Sequence, residues 1–115
     1  MNHGKKGKKF GRETKQRKAL MKSLAFSLIN NGKITTTLAK AKTLRPYMEK
    51  LVTKSKADTV QVARYLSSVL PGPSVTKLLK QISPKYRGSA GGYIRIRKLA
   101  PRASDGAQMA IIEFI

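Results

Sequence analysis

The sequence predicts an α+β fold of two layers, four amphipathic helices packed on a small three-stranded sheet, with an extended basic arm in front. Three observations carry that expectation. Apolar side chains recur at helical spacing in four separate segments, and β-branched or alternating runs lie at 33–37, 93–99 and 108–115. The first twelve residues, in contrast, are mostly Lys, Arg and Gly and have almost nothing to bury. A chain of 115 residues suits one core, so residues 1–12 read as the arm and 13–115 as a single domain.

The arm comes first. Nine of the 25 Lys and Arg residues fall within the first 22 positions, against Glu13 alone, and Phe10 is the one large apolar side chain before Arg12 other than Met1. Such a segment cannot order itself by burial. It is either a solvated tail of like charge or an arm that orders as it neutralises phosphates in the grooves of structured nucleic acid, and the basic balance of the whole chain favours the arm.

Leu20, Met21, Leu24, Ala25, Leu28 and Ile29 then form one face of a first helix, which can start near Thr14 and stops at Asn30, Asn31 and Gly32. Lys15, Arg17, Lys18 and Lys22 sit on its opening turns, where cations oppose the helix dipole; a phosphate partner explains them better than stability does. Ile34 and the three threonines that follow predict a short strand over 33–37. Leu38, Ala41, Leu44, Met48, Leu51 and Val52 predict a second helix with Lys40, Lys42 and Arg45 on its other faces. Pro46 either kinks that helix or lies in the first turn of a new one begun at Thr43, the kink being the preferred reading. Asp58 or Thr59 can cap a third helix built on Val62, Ala63, Leu66, Val69 and Leu70 and ended by Pro71-Gly72-Pro73. Ser74 is the expected cap of a short fourth helix through Val75, Leu78, Leu79 and Ile82, stopping before Pro84.

Beyond Pro84, Lys85 to Gly92 reads as a Gly-rich basic loop. In the strand from Tyr93 to Leu99, Ile94 and Ile96 face one way and Tyr93, Arg95 and Arg97 the other. A turn at Pro101, Asp105 and Gly106 returns the chain as a strand over 108–115, and pairing with the 33–37 strand completes a three-stranded sheet.

Charge narrows the function. Against 25 basic residues stand 5 acids, a net charge of +20, and that self-repulsion points to a polyanionic partner. No apolar run approaches the roughly 18 to 20 residues needed to span a bilayer, and the basic start lacks the apolar stretch of a secretory signal. Without cysteine there is no disulfide framework, thiolate metal site or cysteine nucleophile, and a reducing compartment fits. The five acids are scattered and form no recognisable catalytic pair. His3 in the arm reads as a phosphate or base contact in preference to a general base. Gly88 to Gly92 is no P-loop, since it lacks the following Lys and Ser/Thr and precedes a strand; it is a plain turn or a close approach to an RNA backbone, flanked by Lys85 and Arg87. The aromatics do not make the paired strand platform of an RNA-recognition motif, although Tyr93 beside Arg95 could stack locally. No metal, other cofactor, membrane or small-molecule substrate is expected, and no enzymatic activity.

These residues together resemble a known family, the bacterial-type large-subunit ribosomal protein seventeen. The likeness runs through His3, Gly7, Arg12, Arg17 and Ala19, then Ile34, Thr36 and Thr37 followed by Lys40-Ala41-Lys42, Leu44 and Arg45, then Glu49, Leu51 and Thr53. It resumes at Gly91-Gly92-Tyr93-Ile94-Arg95-Ile96, Arg102, Asp105, Met109-Ala110 and Ile112-Glu113, with departures at Asn2, Ser104 and Gln108. The resemblance implies a helical layer on a small mixed sheet. It also implies a structural constituent of the large subunit, bound to ribosomal RNA on the solvent side near the peptide exit and beside neighbouring ribosomal proteins.

The expected contact set is then His3, Lys5, Lys6, Lys8, Lys9, Arg12, Lys15, Arg17 and Lys18 from the arm and first helix. Lys40, Lys42 and Arg45 form a second group, and Arg87, Tyr93, Arg95 and Arg97 a third. Phosphate contacts position without reading bases, so specificity has to come from RNA shape. The location implied is a ribosome in the cytoplasm, with an organellar ribosome left open. An architectural DNA-binding protein is the alternative, although no helix-turn-helix, zipper or zinc-finger spacing supports it.

Overall fold

The computed structural model describes residues 11–57 and 59–115, with side chains from Thr14 onward. The first helix, α1, spans Gly11–Asn31 and so begins before the expected Thr14, taking Gly11 and Arg12 from the arm. Its buried face is Ala25, Leu28 and Ile29. Gly32 ends it at φ +79°, a left-handed conformation natural to glycine, with its amide donating to the Leu28 carbonyl at 2.8 Å. Strand β1 follows at Lys33–Thr37, as its β-branched run predicts.

Thr37 closes β1 and opens the next helix, its hydroxyl accepting the Lys40 amide at 3.3 Å. That helix, α2, runs Leu38–Ser55 without a break through Pro46, so the segment is not split in two. Its stripe of Ala41, Leu44, Met48, Leu51 and Val52 is fully or almost fully buried and forms the centre of the core. Helix α3, Val60–Val69, is capped by Thr59, which accepts the Val62 amide at 3.2 Å; the other expected cap, Asp58, lies outside the described residues.

The next segment departs from expectation twice. Helix α4, Gly72–Lys77, starts ahead of Ser74, because Pro73 needs no acceptor for a missing amide and fits the first turn. The Pro71 carbonyl takes the amides of Ser74 and Val75 at 3.0 and 3.2 Å, so Ser74 is a buried residue inside the helix and not its cap. The chain does not stop before Pro84 either. It widens into a π turn at Leu78–Ile82 and tightens into a 3₁₀ turn at Ser83–Tyr86, where Pro84 again occupies a first turn. Tyr86 thus leaves the expected loop for the core, and its hydroxyl donates to the Ile115 carbonyl at 2.6 Å.

Strands β2 (Ile94–Leu99) and β3 (Met109–Phe114) form the closing hairpin, and the sheet order is β1-β3-β2. Both pairings are antiparallel, so the sheet is not mixed. β1 and β2 do point the same way, but β3 lies between them and no parallel pair forms. In the turn, Asp105 accepts the Ala107 amide at 3.1 Å and holds Arg102 at 3.0 Å, while Gly106 takes φ +72°. The register aligns Ile34, Ile112 and Ile96 in one row facing the helices, and Lys33, Glu113 and Arg95 in the next row facing away. Four helices on a three-stranded sheet make this an α+β fold.

Candidate nucleic-acid interface

The outer face of the sheet is organised by one carboxylate. Glu113 sits in an otherwise apolar strand and is 7 % exposed. The Arg95 Nε donates to its Oε2 at 2.6 Å and the Arg97 Nε to the same oxygen at 3.0 Å; the Arg97 NH2 reaches Oε1 at 3.4 Å. Both guanidiniums hold Glu113 below the usual carboxylate range, Arg95 foremost. The arginine side chains remain 57 % and 51 % exposed, so each is oriented by Glu113 and still presents donors outward. Lys33 lies directly across β3 from this pair in the register.

The flank of α2 is different. Lys40, Lys42 and Arg45 are exposed on the helix surface, and none of them meets a described carboxylate. The acid of that helix, Glu49, turns instead to the start of β2. Its Oε1 accepts the amides of Gly92 and Tyr93 at 3.1 and 3.4 Å, and its Oε2 the amide of Ile94 at 3.3 Å. Lys56 secures the other side of the same loop, donating to the carbonyls of Tyr86 and Ser89 with its ammonium 5.0 Å from the centre of the Tyr93 ring. The Gly88–Gly92 segment is therefore tied down between Glu49 of α2 and Lys56 just past that helix, with Arg87 exposed at its entrance.

Tyr93 does not join the contact set. Its ring is fully buried, 5.2 Å from that of Tyr86, so no base can stack on it. The reason lies one residue earlier: Gly92 turns at φ +71°, β2 begins only at Ile94, and Tyr93 is directed into the core and not onto the arginine face. Its hydroxyl lies 3.1 Å from the Thr53 hydroxyl, and Lys56 first and Thr53 second hold the phenol below its usual range.

Of the expected arm contacts, His3, Lys5, Lys6, Lys8 and Lys9 lie outside the described residues, as does the side chain of Arg12. Lys15, Arg17 and Lys18 are exposed on α1. Arg17 and Lys18, together with Lys22, border a cleft whose opposite rim carries Lys40, so the fold brings the α1 and α2 cations together. Arg95 and Arg97 face the other way, across the sheet. Sequence reasoning missed Glu49, Lys56 and Glu113 as organisers; an isolated acid between Ile112 and Phe114 was the available signal for Glu113.

Among the described side chains, all three acids are engaged within the chain, Glu49 by amides and Asp105 and Glu113 by arginines. No cluster of His, Asp or Glu there could hold a metal, and no helix there is long and apolar enough to cross a membrane. The arrangement offers charge and shape. The family model for ribosomal protein L17 matches residues 20–115. The chain belongs to the ribosomal protein L17 family. Large ribosomal subunit protein bL17 of Thermomicrobium roseum is 47 % identical over 116 residues, covering 100 % of this chain and 99 % of the relative. The bL17 of Persephonella marina is 50 % identical over 118 residues, covering 100 % and 95 %, and that of Helicobacter hepaticus 43 % over 116 residues, covering 100 % of both. L17 proteins are structural, non-enzymatic components of the ribosome, and this chain is one of them.

Proposed function

We propose that the chain binds large-subunit ribosomal RNA with two opposed cationic faces, the α1–α2 flank on the helical side and the Arg95–Arg97 face of the sheet, and with the basic residues of the expected arm. One observation carries this reading. The described carboxylates are all engaged internally, so the exposed Lys40, Lys42 and Arg45 have no described acid to neutralise them and the arginine pair shares one. A polyanion that touches both faces supplies the missing charge. The exposed Arg87 and the pinned Gly88–Gly92 loop beside it add a place of close backbone approach. Cations on two sides of a small body fit a junction between RNA helices, where shape gives the specificity. The setting is a ribosome, in the cytoplasm or an organelle, with neighbouring large-subunit proteins in contact.

Binding of purified chain to deproteinised large-subunit ribosomal RNA over a salt series tests this. The logarithm of the affinity should fall steeply with that of salt, by roughly 0.7 to 0.9 per phosphate neutralised, and duplex DNA should compete poorly. Affinity that stays flat with salt, or equal affinity for the DNA, contradicts the reading and in the latter case favours an architectural DNA-binding protein.

A further inference from the structure

The apolar stripe of α1 outlasts its packing partners. Ala25, Leu28 and Ile29 are fully buried, but one turn earlier Leu20 is 36 % exposed and Met21 only half-buried. The helix there stands away from the body and leaves a cleft of about 910 Å³ against the first turns of α2 and the end of α3. Leu20, Met21, Tyr47 and Val69 make its apolar floor. Its rim carries Arg17, Lys18, Lys22 and Lys40, and no described carboxylate lines it.

An apolar floor under a cationic rim calls for an occupant with a flat apolar body and negative charge along its edge. The polar groups in the cleft sharpen the choice. Thr43 and Ser68 each donate to a carbonyl of their own helix, at 3.1 and 2.6 Å, which leaves hydroxyl lone pairs free to accept. Burial, with Tyr65 nearby, raises the Tyr47 phenol, which therefore remains a donor at neutral pH. An aliphatic side chain from a protein partner would cover these hydroxyls without satisfying them, whereas the edge of a base both donates and accepts. The volume falls in the roughly 300–1,000 Å³ range of small-ligand sites, room for a nucleotide or two and not for a stacked duplex.

We propose that this cleft receives an unpaired nucleotide of the RNA, with its base on Leu20, Met21 and Tyr47 and the adjoining phosphates on Lys18, Lys22 and Lys40. The proposal rests on the ribosomal RNA reading above and adds to it a place where the protein touches a base. It adds one base contact to the phosphate contacts of the α1–α2 side.

The test uses the full chain and large-subunit ribosomal RNA substituted with 5-iodouridine, irradiated at moderate salt, with crosslinked peptides identified by mass spectrometry. A crosslink at Tyr47 or Met21 is expected. Ala39→Trp fills the cleft from α2 and leaves every cation in place, so it should weaken binding about tenfold, a typical loss for one stacked base. Circular dichroism reports whether the variant folds, and the wild-type crosslink needs no variant. Excess single-stranded oligouridylate should erase the Tyr47 or Met21 crosslink, and a perfect RNA duplex should not. Wild-type binding with crosslinks confined to the sheet face or the outer side of α2 overturns the proposal and leaves the ribosomal RNA reading intact. So does a folded Ala39→Trp chain with unaltered RNA affinity, and one that also fails to join a neighbouring ribosomal protein marks the cleft as a protein site. Absence of RNA binding by the wild-type chain removes both readings.

Discussion

On the outer face of the sheet, Arg95 and Arg97 are held by Glu113 within a strand register that leaves them little choice of direction. On α2, Lys40, Lys42 and Arg45 extend from a helix whose acid, Glu49, is committed elsewhere. The two regions therefore present cations in different states. The sheet pair surrenders part of its charge and in return keeps a fixed geometry, so binding immobilises little; the α2 trio keeps its full charge and loses side-chain entropy of up to roughly 2 kcal/mol per residue when it docks. Fixed guanidiniums suit a defined backbone geometry, and mobile cations suit a diffuse phosphate field. A chain can thus serve as an interface without a packed partner in view, provided its acids are spent on organising some of its cations and withheld from others.

The largest expected effect separates the core of the sheet end from its surface. Tyr93→Ala removes a fully buried ring and the hydroxyl beside Thr53, and should lower stability by about 3 to 5 kcal/mol in a denaturant titration. The salt slope of RNA binding should be unchanged under conditions where the variant is folded; a reduced slope would return Tyr93 to the interface. Next, the two cationic sets should part company. The triple change Lys40→Ala, Lys42→Ala and Arg45→Ala should flatten the salt slope by roughly 2 to 3 and leave the melting temperature nearly unaltered. The double change Arg95→Ala and Arg97→Ala should flatten it by roughly 1.4 to 1.8 and also lower the melting temperature, because Glu113 is then left nearly buried without its partners. Equal thermal effects in the two variants would erase the distinction drawn here.

The smallest effect is one of pH. Glu113 and Asp105 both have their carboxyls pushed down by arginine, so the folded state binds their protons less readily than the unfolded chain. Their contribution is fully present above the ordinary carboxylate range of about 4 and is lost as pH falls through the lowered folded values. Thermal melts should be level from pH 7 to 5 and decline below about pH 4, and Glu113→Gln should make that decline shallower.

Much of the fold was legible because local rules governed it. The β-branched run at 33–37, the cap at Thr59 and the alternation of Ile94, Arg95, Ile96 and Arg97 all reappear where the residues place them. Tyr93 failed that logic through a single backbone turn at Gly92: extending the alternation one residue upstream put a core ring on the surface. Ser74 and Pro84 failed because a proline in a first turn neither caps nor stops a helix, and the choice depends on packing against α1 and α2. Glu49 could not be read at all, since its amide partners are 43 to 45 residues away and only the tertiary fold brings them together. The cationic surfaces were easier. Charge needs only exposure, and exposure follows from the same periodicity that identifies the core.

The most direct test of two faces bound at once is lysine acetylation read by mass spectrometry, comparing the free chain with the chain in intact large subunits from its host. Lys33 reports on the sheet face, and Lys40 and Lys42 on the α2 flank. All three are exposed in the isolated chain and should react there, and all three should be protected in the subunit, regaining reactivity after ribonuclease digestion. Protection of one face alone, or reactivity in the subunit equal to that of the free chain, would contradict the account.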